Sequence, residues 1–288
     1  RSGCELFDVL RAACLNPVEH YRLPVGLLRE GDPADFIRIS DLASFRVLET
    51  WIAGEKVAEN GKSLLPRYEA ATPNHFTALP KKPADFRIRQ ITRKADPEMP
   101  VSVRVIEALD GQIVTGTLEE TLFTEEGLLL SDPSRDLLKI CVVNRYRPDV
   151  PPAIGFVKGF GLRHGALASS VAHDSHNIVA AGTDDDALCA AVNAVIEANG
   201  GIAAADGSGD TRVLPLPIAG LMSPMDGYAL AEAYAELDAW TKTTLGCALR
   251  APFMVLSFLA LPVIPKLKMT DLGLFDVEQF GFVPVEMP

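Results

Sequence analysis

The chain has 288 residues, 48% of them hydrophobic, and a formal net charge of -11 at pH 7. That length and apolar content suffice for a large core and point to two domains. The acidic balance, with no block of like charge, opposes a phosphate backbone or an anionic surface, so neither nucleic acid nor membrane is an expected partner.

Five cysteines, Cys4, Cys14, Cys141, Cys189 and Cys247, are odd in number and show no C-x-x-C spacing. They read as reduced, mostly buried thiols rather than a disulfide framework or zinc knuckle. The longest apolar run, Phe253 to Ile264, is broken by Ser257 and Pro262 and falls short of the ~20 residues of a spanning helix. From Cys4 to Leu15, Leu6, Val9, Leu10 and Ala13 share one helical face, and Asn16-Pro17 is expected to end or restart the helix because proline lacks a donor. That face has nothing visible to pack on, and with Arg1 as first residue the opening reads as the interior of something longer. Short, partly alternating segments follow at Ala34 to Ile39, Phe45 to Ile52 and Lys56 to Ala58, which predict strands. Gly54-Glu55 fits a two-residue hairpin turn with glycine first.

From Asn60 to Pro100 the chain is polar and punctuated by Pro66, Pro73, Pro80, Pro83, Pro97 and Pro100, with one short strand candidate at Phe86 to Ile91; it reads as a domain junction. Strands are expected next at Val101 to Ala108, Gln112 to Thr121, Leu137 to Arg145 and Ile154 to Lys158. Leu137 to Val143 is nearly continuous in apolar residues and should be central in its sheet. Ala166 to Val171 and Ile178 to Ala181 are two more. Thr183 with three aspartates after it predicts a helix start, Leu188, Val192, Val195 and Ile196 its apolar stripe, and Gly200-Gly201 its stop. Strands at Ile202 to Ala205 and Thr211 to Leu214 flank Gly207-Ser208-Gly209-Asp210, a hairpin tip, since no helix start or lysine completes a phosphate loop. A long helix carries Leu230, Tyr234, Leu237, Trp240 and Leu245 and ends at Gly246. Phe253 to Leu261 should be core, and the tail turns at Thr270 to Leu274 before a short aromatic strand.

The densest polar chemistry is Ser169-Ser170-Val171-Ala172-His173-Asp174-Ser175-His176-Asn177, between two apolar strands. Polar groups beside a core find partners or do chemistry. In one reading this loop sits at the mouth of a site, with His173 and His176 exchanging protons and Asp174 orienting one of them. In the other it is a hydrogen-bonded turn under a sheet. His-x-x-His supplies two nitrogen ligands, short of the three or four of a zinc site, and His20, His75 and His164 lie in no ligand pattern.

Two blocks carry a resemblance. Ala12 to Tyr21, Gly31 to Phe36 and Trp51 to Val57 resemble the last barrel helix and returning β-sandwich of the amidohydrolase superfamily. Gly165 to Asn177, with Leu216 to Ser223 and Ser257 to Pro265, closely resembles the C-terminal domain of bacterial adenine deaminases. The resemblance implies an α/β plus α+β fold: residues 1–24 the last helix of a TIM-like barrel, 25–70 part of a small β-sandwich, 71–100 a linker, and 101–288 a C-terminal α+β domain. It also implies hydrolysis of adenine to hypoxanthine and ammonia in purine salvage, by a cytoplasmic homo-oligomer whose partner is a small-molecule purine. The family uses two iron or manganese ions in the barrel to activate the attacking hydroxide, with a carboxylate shuttling protons. Its metal ligands, an early His-x-His, a bridging glutamate, two later histidines and an aspartate, precede the point where this chain begins, so no metal ligand is carried over. The loop is expected to approach the barrel mouth, with His173, Asp174 and His176 as catalytic candidates and Ser169, Ser170, Ser175 and Asn177 as substrate-binding candidates. Three outcomes stand open: a deaminase portion not competent alone, a non-catalytic interaction module that folds alone or buries the first helix against a partner, or a separate hydrolytic site in the loop. The last lacks a nucleophile elbow or metal triad.

Overall fold

The computed structural model describes residues 3–66, 68, 71–91 and 100–287. They group into two compact units, Arg1–Glu69 and Ala70–Pro288.

In the first unit Asn16-Pro17 does not break the helix. Helix α1 (Leu6–Leu10) passes through a π-helical turn, Arg11–Leu15, into α2 (Asn16–Tyr21). A proline removes one backbone donor and crowds the carbonyl four residues back; the wider turn just ahead of Pro17 relieves both. The helix closes at Arg22, left-handed at φ 52, with the Leu23 amide donating to Val18 O at 3.1 Å. Strands β1 (Phe36–Ile39), β2 (Val47–Ile52), β3 (Glu55–Glu59) and β4 (Lys62–Ser63) then form an antiparallel sheet in chain order. Its β2–β3 turn is Ala53-Gly54, one residue earlier than the expected Gly54-Glu55, because Ile52 pairs with Glu55. Both turn residues have positive φ, 49 and 82, which suits the twist of a hairpin, and Asp35 Oδ1 accepts the Ala53 amide at 2.7 Å.

The second unit opens with residues 71–91, expected as a linker, which instead lie along helix α3 described below. A 3-10 turn, Pro83–Phe86, buries the Phe86 ring completely, and only β5 (Ile88–Arg89) remains of the expected strand. Pro97, with the rest of 92–99, lies outside the described residues. There follow β6 (Val101–Ala108), β7 (Thr115–Leu122), β8 (Thr124–Glu125), β9 (Leu128–Leu129), β10 (Leu137–Val143), β11 (Ala153–Lys158), β12 (Ala166–Ser169) and β13 (Ile178–Gly182). Helix α3 (Asp185–Glu197) leads to β14 (Gly201–Ala205) and β15 (Thr211–Pro215), then α4 (Gly227–Thr243), α5 (Pro252–Phe258), β16 (Leu267–Thr270), β17 (Gly273–Asp276) and β18 (Gly281–Phe282).

Eight strands form one mixed sheet in the order β15-β14-β12-β13-β10-β11-β6-β7, antiparallel except where β11 runs parallel to β6. Every residue of β10 is buried, which a sheet covered on both faces requires. Leu138, Ile140 and Val142 join the core that includes α4, α5, β16 and β17 residues, while Cys141 and Val143 join the core beneath α3. Lys139 also lies within β10, its ammonium 2.5 Å from Asp185 Oδ1 in the first turn of α3 and 3.2 Å from Phe86 O. A buried lysine needs such partners, since an unpaired charge there costs several kcal/mol, on the order of 3–5.

The cap of α3 is Asp184, which accepts the Ala187 amide at 2.8 Å, rather than Thr183. Thr183 is still held to the sheet, its amide and hydroxyl both on Gly165 O. Asn193, midway along α3, exchanges two hydrogen bonds with the Lys81 backbone and so ties residues 71–91 down. Helix α4 stops at Thr243, short of Leu245, which is nonetheless buried. Cys141, Cys189 and Cys247 are buried free thiols and Cys4 and Cys14 exposed ones; desolvation pushes Cys141 up to about 12. No helix among the described residues is long and apolar enough to cross a membrane.

Candidate functional site

Strands β12 and β13 are antiparallel neighbours, and the polar loop is the connection between them. It turns tightly: His176 is left-handed at φ 52 and its amide donates to Ala172 O at 2.6 Å. The His173 amide donates to Ser257 O in α5 at 3.1 Å. Held at both points, the loop directs its polar side chains three ways.

Ser170 and Asn177 point into the protein. Ser170 Oγ donates to Gly220 O at 2.6 Å and accepts the Gly201 amide at 2.8 Å, while its own amide donates to Gly201 O at 2.9 Å. Asn177 Oδ1 accepts the Arg145 amide at 3.2 Å. Arg145 itself, only 4% exposed, follows the end of β10. Its guanidinium lies 4.7 Å from the centroid of the Tyr146 ring and 5.7 Å from that of Phe76, and Nη2 donates to Tyr146 Oη at 2.9 Å. Tyr146 passes this on to the loop by donating to Ser175 O at 2.9 Å. Gly220 makes the packing possible: its φ is +70, and a Cβ there would stand 2.1 Å from Arg145 Nη1. His176 is half-buried, and its Nδ1 has no hydrogen-bond partner among the described residues. Burial pulls its proton affinity below the ordinary imidazole value; His173 and Arg145 act the same way and Asp174 opposes.

Ser169 and His173 line a cavity of about 500 Å³ bounded by β14, β15, α4 and α5. The Ser169 hydroxyl is occupied locally, donating to Val171 O and accepting the Val171 amide. The His173 ring lies 4.6 Å from Phe258. Asp174 and Ser175, both exposed, line a different hollow of about 400 Å³ walled by Leu272, Phe275, Phe280 and Phe282.

The proton exchange and the orienting carboxylate expected of this loop are not formed as direct contacts. The His173 and His176 rings stand 6.1 Å apart, edge to face, and Asp174 makes no ion pair with either among the described residues. The other histidines are dispersed: His20 packs on Tyr21, His75 on Tyr146, and His164 Nδ1 lies 3.1 Å from Asp206 O. Among the described residues no group of three or more His, Cys, Asp or Glu side chains could hold a metal ion. Arg145, Tyr146 and Tyr234 are site residues that the sequence does not mark; an Arg-Tyr pair one residue past a strand apolar but for Lys139 is the available signal for the first two.

The adenine deaminase C-terminal domain family matches residues 112–281, within the second unit, and the amidohydrolase family matches residues 1–57, within the first. A Salinibacter ruber protein named adenine deaminase is 54% identical over 282 residues, covering 98% of this chain and 50% of the relative. Proteins of the same name from a Sulfurovum species and from Methanosarcina barkeri are 50% and 46% identical, again over 98% of this chain and 49% and 50% of their own lengths. The chain therefore spans about half the length of the curated relatives it matches.

Proposed function

Because this chain belongs to the adenine deaminase C-terminal domain family, we propose that it is the C-terminal half of an adenine deaminase, hydrolysing adenine to hypoxanthine and ammonia in purine salvage. The observation that carries the reading is the match along 98% of the chain, at 41–54% identity, to relatives of that name. In this reading residues 1–24 are the last helix of an amidohydrolase barrel, 25–70 the C-terminal part of its small β-sandwich, and the second unit the accessory α+β domain of a cytoplasmic homo-oligomer. The amidohydrolase match over residues 1–57 supports the first assignment.

Amidohydrolase kinship argues for a metal cofactor in the parent, iron or manganese by resemblance, whose general role is to activate water and stabilise developing charge. The residues of this chain do not fit such a centre, since the described part brings together no three ligand side chains. The ligands belong to the other half of the parent protein, and this half alone is not competent.

What this chain contributes is the loop. Deamination needs protons delivered to a departing amine, work suited to an imidazole or a carboxylic acid. His173, whose ring no described residue hydrogen-bonds, and the exposed Asp174 are the loop groups free to meet a substrate. Ser175 stands beside Asp174 as a binding group, and Ser169, whose hydroxyl is taken up by Val171, shapes the cavity wall beside His173. Ser170, His176 and Asn177 act from behind, holding the loop against Arg145 and β14.

The test uses the full-length parent enzyme with His173→Ala and Asp174→Asn, assayed by ammonia release from adenine. At least one variant is expected to lose about tenfold or more in kcat with an unchanged melting temperature. Unaltered turnover in both would leave the loop without a part in the reaction.

A further inference from the structure

The cavity beneath β14 and β15 has a chemical character of its own. Its walls are apolar, Ile202 and Leu214 from β14 and β15, Val171 and Leu216 from the segments that follow β12 and β15, and Leu230 and Phe253 from α4 and α5, and among the described residues none of its lining side chains is Lys, Arg, Asp or Glu. Its volume, about 500 Å³, falls in the range of small-molecule sites, roughly 300–1,000 Å³.

Three polar groups edge it. The His173 ring and the Tyr234 hydroxyl have no hydrogen-bond partner among the described residues, so each offers a donor and an acceptor. Ser257, whose Oγ donates to Met254 O at 2.7 Å, also lines it. The two unoccupied groups come from different elements, the β12–β13 loop and α4, and both line the same apolar cavity. The Tyr234 ring meets Phe253 edge to face, with centroids 6.3 Å apart, and the His173 ring is backed by Phe258, so both partners are held in place.

This combination selects by exclusion. A phosphate or carboxylate would be desolvated against Leu and Val with no cation on the wall, at a cost of several kcal/mol, on the order of 3–5. An aliphatic chain would leave His173 and Tyr234 without partners. A flat ring with apolar faces and a hydrogen-bonding edge satisfies both conditions.

We propose that this cavity binds a neutral, planar nitrogen heterocycle of nucleobase size, held by His173 and Tyr234 at its edge and by the apolar walls on its faces. The choice of a purine among such rings rests on the function proposed above; the demand for a neutral flat ligand does not.

The experiment is calorimetric titration of the 288-residue chain with adenine, hypoxanthine and AMP. Adenine and hypoxanthine are expected to saturate one site with Kd below about 1 mM, and AMP to bind at least about tenfold more weakly because of its phosphate. Ala231 is exposed on α4 and lines the cavity, so Ala231→Trp closes it without disturbing the core and should abolish binding. Tyr234→Phe should weaken it about threefold to tenfold with an unchanged thermal melt. The proposal is overturned by the absence of saturable binding of either base, by binding that survives Ala231→Trp, or by AMP binding as tightly as adenine. Base binding here together with unaltered turnover of His173→Ala in the parent would sink the role given to the loop and leave the cavity standing. Lost turnover without any binding would do the reverse.

Discussion

Ser170→Ala isolates the structural part of the loop. The hydroxyl is fully buried and serves two backbone groups, the Gly201 amide at 2.8 Å and the Gly220 carbonyl at 2.6 Å. Alanine leaves both buried without that partner, and an unsatisfied buried group costs about 1–3 kcal/mol. With some relaxation of the segment around Gly220, the expected loss is about 2–4 kcal/mol. For a unit the size of residues 70–288, each kcal/mol moves the midpoint roughly 2–4 °C, so the variant should melt about 5–15 °C lower. Ser175→Ala is the control: this serine is exposed and its hydroxyl accepts, among the described residues, the Asn177 amide alone, at 3.4 Å, so its removal should cost under about 0.5 kcal/mol. Urea unfolding of both variants at neutral pH, followed by far-ultraviolet circular dichroism and fitted with free m-values, measures the pair. Equal losses from the two serines, or a Ser170→Ala loss below about 1 kcal/mol at unchanged m, would refute the reasoning that burial and backbone pairing divide this loop.

Lys268 and His176 predict pH dependence. Lys268 is buried in β16, its partners among the described residues the Ile113 and Phe258 carbonyls, each at 3.1 Å, and desolvation pulls it down to about 8 from 10.5. The unfolded chain holds that proton more tightly, so the native state should gain stability between pH 8 and 10.5, by at most about 3 kcal/mol, relative to Lys268→Met. Parallel stability–pH curves for the two proteins would contradict this. For His176 the same sign applies lower down: its folded affinity for protons is depressed, so its contribution is present above about pH 6.5 and is lost as acid protonates the unfolded chain. His176→Asn, which tolerates the left-handed backbone, should flatten the acid limb below about pH 6.5, and a wild-type-minus-variant difference that does not change with pH would exclude burial as the cause.

Much of the second unit's secondary structure was legible because its signals are local. The nearly continuous apolar run at Leu137 to Val143, broken only by Lys139, requires a sheet covered on both faces, and it is one of the two middle strands. The stripe of Leu188, Val192, Val195 and Ile196 sets the face of α3, and Asp206 caps the Gly207–Asp210 tip by accepting three backbone amides. Errors fell where a local cue met a competing contact. At Asn16-Pro17, expected to end or restart the helix, a π turn leads into α2; Asp184 rather than Thr183 caps α3; and the described part of the expected 71–100 linker, residues 71–91, is anchored on α3 through Phe86 and Lys81.

The sequence by itself determined the strand–loop–strand frame, the family, and the place of the polar loop between two buried strands. Only tertiary structure decided where each loop side chain points. Ser170 and Ser175 are the same residue five positions apart, yet one is enclosed by backbone from Gly201 and Gly220 and the other meets solvent beside Phe280. Composition and periodicity carry information about near neighbours along the chain. The partners that sort this loop come from β14, the segment at Gly220, α4 and α5, thirty to eighty residues away, and only packing brings them to it.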